Sequence, residues 1–395
     1  MDDIVIYFLF SILYYLIFYI MIEFFRRQKI DWTLFCSTLP ILFAGVITMS
    51  SFGGKGSFAE KQLIWIAVSI TLFFLFSFMD WRFLRRTGVI IFLFATGCFF
   101  LFSLFLVGSI FKGAQSWLNV GLFAIQPADP MKLVLVLVLT KYFSRRHIEI
   151  ANIRHIIVSG IYALIPFVLI AIQPDFGSAM IFFLIWLGMV FVSGISKKHL
   201  LIVFTLGLIS FGTLWGFVFE PYQKKRIVSF IHPMADIRGA GYNAFQSTVA
   251  IGSGEIFGKG VGYGTQSRLN FLPEYQTDFI FAAFSEEWGF FGVLLLFFFF
   301  FILIWRILVN AMLGETNFEI LFGMGVAIYF IAHFIINVGM NIGLLPVTGT
   351  TIPLMSYGGS HLITEFAALG ILTGMKRYSR VAHRDDLQHE FLGVE

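Results

Sequence analysis

Apolar runs close to membrane-spanning length recur along almost the whole chain, separated by short basic loops, and this pattern confines the fold to helices packed in lipid. In hydrocarbon every backbone N–H and C=O has to be satisfied within the segment, and a helix of roughly 20 residues does this while crossing the bilayer. Composition agrees: of 395 residues, 58% are hydrophobic, 13% are charged and 52 are Phe. The net charge of +4 is too small for a nucleic-acid binder, because the basic residues lie in loops rather than on one stripe. Cys36 and Cys98 sit inside apolar runs and read as small hydrophobes, so no disulfide framework is expected. Met1–Asp3 is acidic and no small-residue cleavage site follows, which argues against a cleavable signal.

Taken in order, the runs are Ile4–Phe25, Leu34–Ser51, Leu63–Met79, Gly88–Phe111, Met131–Phe143, Ile156–Ile172, Ala179–Ile195 and Leu200–Phe219. Met131–Phe143 is short for a span and is expected to begin within the preceding loop. A long polar interruption, 220–278, precedes Phe279–Val309, Glu319–Leu345 and His361–Met375. Basic clusters at Arg26–Lys29, Arg82–Arg86, Arg145–Arg154, Lys197–Lys198 and Lys376–Arg380 fall on one side, which the positive-inside rule makes cytoplasmic. The count is about eleven spans, with the acidic N-terminus and the long loop outside and the C-terminus inside. The fold class is therefore all-α and polytopic. Residues 1–30 form an additional N-terminal hydrophobic helix, and 381–395 form a short, charged, frayed tail. The run Phe279–Val309 is long enough to hold a span with an interrupted start at Glu286-Glu287-Trp288-Gly289. No Walker A, Rossmann glycine or His/Cys metal pattern occurs, so nucleotide hydrolysis by this chain is not expected.

Polar, Gly- or Pro-rich segments gather on the outer side. They are Lys112-Gly-Ala-Gln-Ser-Trp117 with Gln126-Pro-Ala-Asp129-Pro-Met-Lys132, then Gln173-Pro-Asp175-Phe-Gly177, then the long loop, then Leu345–Ser360. Non-helical backbone at membrane depth persists only where protein or a wet cavity satisfies it, and ionisable residues there are functional candidates. Asp278 stands directly before the apolar run at Phe279, where a non-polar neighbourhood suits a carboxylate to work as a base. The competing reading makes Asp278 only the N-cap of that helix.

These segments resemble the SEDS family (shape, elongation, division and sporulation) of bacterial cell-wall polymerases over about Asp31 to Arg380. Lys112–Trp117 is similar to the family's G-A-x-x-W element, Gln126–Lys132 to Q-P-S-E-x-x-K, and Gln173–Gly177 to Q-P-D-x-G. Gly264-Thr-Gln266 through Leu272-Pro-Glu274, Thr277-Asp278-Phe-Ile-Phe281, Glu286-Glu287 and Leu345–Ser360 complete the match. The Gly-Thr-Gln-Ser and Asn-Phe-Leu-Pro-Glu wording resembles the rod-shape branch rather than the division branch. Three departures stand out. Asp129 with Pro130 replaces the family's glutamate, Gln276 replaces the histidine common before Thr-Asp, and the first apolar run precedes the usual ten-span core.

The resemblance implies glycosyltransfer on lipid II, with inversion, in the bacterial cytoplasmic membrane, for lateral wall growth. Asp278 matches the family's essential aspartate and would be the general base. The departing undecaprenyl pyrophosphate would need cationic side chains or a divalent cation, magnesium or manganese. Lys132 would meet that pyrophosphate with Asp129 positioning it; alternatively the two form a simple ion pair at a helix end. Trp117 fits a sugar-stacking or an anchoring role, and Asp175 a binding or a capping one. Arg226, with Lys224 and Lys225, fits pyrophosphate contact or a solvated loop face. Gln266 and Glu274 lie in matched motifs and join the substrate-binding set. Glu286 and Glu287 are expected to be structurally paired. The implied partner is a class B penicillin-binding protein that supplies cross-linking. A lipid II flippase is the rival function, but its ionisable residues should line a midplane path rather than gather on the outer face. A scaffold without chemistry is a third, weaker option.

Overall fold

The computed structural model describes residues 30–51, 58–111, 114–120, 123–145, 153–194, 241–269 and 271–392, with scattered helical positions between 199 and 230. The expected first run, Ile4–Phe25, and Arg226 lie outside these residues.

The described helices are α1 (Trp32–Ser50), α2 (Phe58–Phe78), α3 (Thr87–Val107), α4 (Ala128–Ser144), α5 (Ile153–Ile172) and α6 (Phe176–Val192). They continue with α7 (Tyr242–Ser253), the short α8 (Thr265–Arg268), α9 (Ile280–Met312), α10 (Asn317–Asn341) and α11 (Gly359–Leu392). Among the described residues, α1, α2, α3, α5, α9 and α10 are long and apolar enough to cross a membrane, and α6 is a shorter apolar helix. The chain is an all-α multi-pass membrane protein. Large apolar side chains such as Phe92, Leu106 and Phe301 remain exposed on its outer faces, where lipid, not water, is the solvent.

Two boundaries differ from the sequence expectation. The run Gly88–Phe111 ends as helix at Val107, and Ser109–Phe111 becomes β1. It pairs antiparallel with β2 (Ala114–Val120), which pairs with β3 (Phe123–Ile125). Trp117, Leu118 and Val120 are strand-favouring side chains that suit a pleat once the chain leaves the hydrocarbon. The tail beyond Ser379 continues α11 to Leu392 instead of fraying, in keeping with its good helix formers and mixed charges. The start of Met131–Phe143 lies inside the preceding loop, at Ala128.

The bundle is centred on α10, which packs on α4, α6 and α9; α9 also packs along α1, and α11 along α2. Ion pairs gather the ends that carry the basic loops. Arg85, in the 3₁₀ turn Arg82–Arg85, pairs with Glu319 at the start of α10 and accepts through its carbonyl from Lys141 near the end of α4. Asp31, the N-cap of α1, meets Arg306 of α9 at 2.5 Å and Lys376 of α11 at 3.5 Å. The opposite end collects α7, the sheet, the starts of α4, α6 and α11, and the 342–358 connection.

The interrupted start of α9 is built by glycine. Gly289 has φ 64° and ψ −165°, a region that only glycine enters readily. A Cβ there would lie 2.2 Å from the Gly258 nitrogen, and one at Gly258 would lie 2.1 Å from the Glu287 carbonyl oxygen. The two backbones touch, and Phe290 and Phe291 donate to the carbonyls of Glu255 and Ile256 across the break.

Candidate active site

Asp278 ends the segment that leads into α9. It stands one residue before the cap position, Phe279, whose own side chain makes no capping bond. The backbone of Asp278 is held from the side. Its carbonyl accepts from Asn337 at 3.0 Å and from Asn341 at 3.1 Å, two buried amides one turn apart on α10. Asn337 also donates to the Thr350 carbonyl at 2.7 Å, tying α10 to the 342–358 connection. That connection grips the preceding residues, since Ser356 donates to the Thr277 carbonyl at 2.7 Å and Tyr357 N–H to the Gln276 carbonyl at 2.9 Å. Gly349 has φ 74°, and a Cβ on it would lie 3.5 Å from an Asp278 carboxylate oxygen. The half-buried carboxylate therefore faces backbone that carries no side chain.

Beneath this connection lies a buried charged cluster. Lys132 and Asp129 share one face of α4 and are 3.0 Å apart, with side chains only 3% and 5% exposed. His361 of α11 places Nδ1 3.6 Å from the same Asp129 oxygen and Nε2 2.9 Å from Glu365, one turn further along α11. Glu365 accepts from Leu354 N–H at 2.9 Å. From α10, the Tyr329 hydroxyl is 3.4 Å from His361 Nδ1, and the ring of His333 lies 4.6 Å from that of His361. His333 Nδ1 donates to the Thr351 carbonyl at 3.2 Å. A continuous polar path thus runs from Asp278 through Thr350 and Thr351 to the Asp129–Lys132 pair.

Asp175 joins the same neighbourhood as a capping residue. It accepts from Ser178 N–H at 3.0 Å and from the Gln126 side chain at 2.9 Å, so the capping alternative is realised. Gly177 lets α6 approach closely, since a Cβ there would lie 2.6 Å from the Thr348 carbonyl oxygen. Gln126 in turn is joined to Ser360, at the start of α11. Asp278, Asp129, Lys132 and Asp175 are therefore gathered around one connection, 342–360.

The remaining candidates stand apart from that centre. Trp117 is half-buried on β2, opposite Ser109. Glu274 adopts φ 55° and accepts from Thr277 Oγ1 at 3.1 Å, shaping the turn before Asp278. Gln266 braces α9 through its backbone, which donates to both oxygens of Glu286 at 3.2 Å. Glu286 also meets Lys259 at 2.7 Å and Thr265 N–H at 2.9 Å, and Glu287 accepts from Gly262 N–H at 2.7 Å. Both glutamates are buried and structurally paired.

Asn337, Asn341, His333, His361 and Glu365 were not reached from sequence. A signal existed: 333, 337 and 341 recur every fourth residue in an otherwise apolar run, as do 361 and 365, which puts each set on one helix face.

Known proteins resemble this chain over most of its length. The family model for the FtsW, RodA and SpoVE proteins, described as cell cycle protein, matches residues 32–381. Stage V sporulation protein E of Bacillus subtilis is 35% identical over 372 residues, covering 90% of this chain and 99% of that protein. Peptidoglycan glycosyltransferase MrdB of Escherichia coli is 32% identical over 359 residues, covering 91% and 96%. A chain from a structure on the coordination of polymerization and crosslinking by a peptidoglycan synthase complex superposes with a TM-score of 0.76 at 28% identity, covering 89% of this chain and 98% of that one.

Fold and site thus define a multi-pass membrane protein with a buried polar centre at the end of the bundle opposite the basic loops. The chain belongs to the FtsW/RodA/SpoVE family, the SEDS family, and it is a glycosyltransferase.

Proposed function

We propose that this chain polymerises lipid II into glycan strands at the outer face of the membrane, with Asp278 as general base. The observation that carries the proposal is the placement of Asp278. Two buried asparagines and the 342–358 connection fix its backbone, and its half-buried carboxylate lies against Gly349. A group held this way is preorganised to receive a proton.

In the proposed reaction the hydroxyl oxygen of the acceptor sugar bonds to the anomeric carbon of the donor. The proton of that hydroxyl passes to Asp278. The bond from the anomeric carbon to the diphosphate oxygen breaks, and undecaprenyl diphosphate leaves with the bonding electrons. Attack opposite the leaving group inverts the anomeric centre. Lys132, with Asp129 beside it, would meet the negative charge that develops on the diphosphate. Trp117, Asp175, Gln266, Glu274 and Arg226 complete the proposed substrate-binding set, with Asp175, Gln266 and Glu274 acting through the backbone they position.

Among the described residues no three His, Cys, Asp or Glu side chains converge to build a cation cage. The donor set does not fit a resident metal. Magnesium or manganese is proposed only as a companion of the substrate's diphosphate, since such ions keep water and bind through few carboxylates. No step above depends on it.

The finer assignment is lateral wall growth and rod shape, supported by the Gly-Thr-Gln-Ser and Asn-Phe-Leu-Pro-Glu wording. The partner is proposed to be a class B penicillin-binding protein, because the similar synthase complex couples polymerization to crosslinking. A flippase remains the second reading, favoured by the buried Asp129–Lys132–His361–Glu365 charges. The test is purified chain, alone and with the transpeptidase, given labelled lipid II. Glycan ladders support the polymerase, whereas lipid II crossing vesicles without ladders supports the flippase.

A further inference from the structure

We propose that His361 is a positioning residue: it neutralises Glu365 and thereby keeps Lys132 available for the substrate's diphosphate. The inference rests on the proposed role of Lys132. It starts from what surrounds the imidazole. Both ring nitrogens face carboxylates, Nδ1 at 3.6 Å from Asp129 and Nε2 at 2.9 Å from Glu365. A neutral imidazole carries one N–H and would leave a lone pair beside one of those carboxylates, whereas the protonated ring sets positive charge beside both. The Glu365 contact is ionic in distance without hydrogen-bond alignment, so charge rather than a directed bond joins the two.

Charge arithmetic in the cluster supports the same arrangement. Asp129 and Glu365 contribute two negative charges and Lys132 one positive charge. A cationic His361 brings the quartet to zero, and buried charges persist when paired in this way. The remaining polar neighbours leave the balance unchanged. Tyr329 offers a hydroxyl 3.4 Å from Nδ1, and His333, stacked at 4.6 Å, spends its Nδ1 proton on the Thr351 carbonyl. Glu365 is anchored by Leu354 N–H and cannot withdraw from the cluster without breaking that bond.

Removing the imidazole leaves Glu365 buried and uncompensated, with Lys132 the one other cation in the cluster. The ammonium would be drawn from Asp129 toward Glu365, away from the outer connection. Among the described residues Lys132 makes a single hydrogen bond, to Asp129, and its ammonium has three donors. His361 keeps the other two free of a competing carboxylate.

The experiment compares the full-length wild type with H361Q, E365Q, the double variant H361Q/E365Q, and K132M. Each is purified with its transpeptidase and assayed for kcat and KM on labelled lipid II, with thermal unfolding as the folding control. H361Q is expected to lower kcat/KM on the order of tenfold or more, within the range of coupling between buried neighbours. The double variant removes one charge of each sign and is expected to recover most of that loss, while E365Q alone changes kcat/KM by less. Wild-type kcat/KM in folded H361Q would overturn the proposal, as would a double variant no better than H361Q. K132M separates the two levels of inference. If it retains wild-type kcat/KM, the reading of Lys132 itself is wrong. If it is inactive while H361Q is normal, only the role of His361 fails.

Discussion

Replacing Asp278 with asparagine tests the central assignment, because the structure separates its chemical role from its structural one. Asparagine keeps the size and shape of the side chain and removes only the capacity to take a proton at neutral pH. The bonds from Asn337 and Asn341 reach the backbone carbonyl of residue 278 and are unaffected by the change. Asparagine also caps helices about as well as aspartate, so any bond the side chain gives to the start of α9 is retained. The expected loss of stability is therefore small, below about 1 kcal/mol, as for ordinary substitutions that create neither a cavity nor a buried unpaired charge. General-base catalysis contributes typically about 10²–10⁴-fold, so the rate of polymerisation should fall by that factor. Expressed as a barrier, this is roughly 3–5 kcal/mol. The assay is glycan-ladder formation from labelled lipid II by the purified chain with the proposed transpeptidase partner, alongside thermal unfolding and a pull-down of that candidate. Near-normal ladders from folded Asp278→Asn protein would remove Asp278 as the base.

Other consequences are as direct. Exchanging the charges of the α4 pair, Asp129→Lys with Lys132→Asp, should leave the chain folded but inactive in the ladder assay; recovery of activity would reduce the pair to a structural ion bridge. Gly289→Ala forces a Cβ to within 2.2 Å of the Gly258 nitrogen in a glycine-only conformation. It should cost about 1–3 kcal/mol for the backbone alone, read as a lower unfolding temperature in detergent. In a background lacking Cys36 and Cys98, Tyr263→Cys should react with an impermeant thiol reagent from outside, and Arg86→Cys only after permeabilisation. The reverse pattern would invert the topology.

How much the sequence disclosed depended on the range of the interaction. Spans and sidedness follow from local hydrophobicity and from loop charge, which act within single segments, so α1 to α6, α9, α10 and the start of α11 were legible to within about five residues, while the extension of α11 to Leu392 was not. Even the break at Glu286–Gly289 showed, because two acids followed by a glycine interrupt an apolar run that would otherwise continue as one helix. The sheet at 109–125 did not show, since Gly88–Phe111 is one uninterrupted apolar run and its departure from helix is decided by pairing with β2. Asp278 and the Asp129–Lys132 pair could be singled out by position and spacing. What could not be read was their common environment. His361 and Glu365 are more than 200 residues from Asp129 in the chain, and only the packing of α11 against α4 brings them together.

That environment explains why the centre sits where the helices are imperfect. An unbroken helix uses its own carbonyls and leaves none to hold a neighbouring chain. At the outer end of this bundle α9 has not yet begun, α10 has ended, and α11 has not started, so the carbonyls of Gln276, Thr277, Asp278, Thr350 and Thr351 are open to other donors. Asn337, Asn341, Ser356, His333 and the backbone of Tyr357 supply those donors. The same bonds that satisfy backbone at membrane depth also fix the carboxylate of Asp278 relative to Lys132. Asn337→Leu should therefore act on both at once. It strands the Thr350 carbonyl, leaves the Asp278 carbonyl with Asn341 alone, and should destabilise the chain by about 1–3 kcal/mol. It should also lower kcat more than stability alone explains, because the base loses its alignment with the diphosphate site. A variant destabilised to that extent but retaining wild-type kcat at a temperature where it is fully folded would show that the α10 asparagines serve folding only.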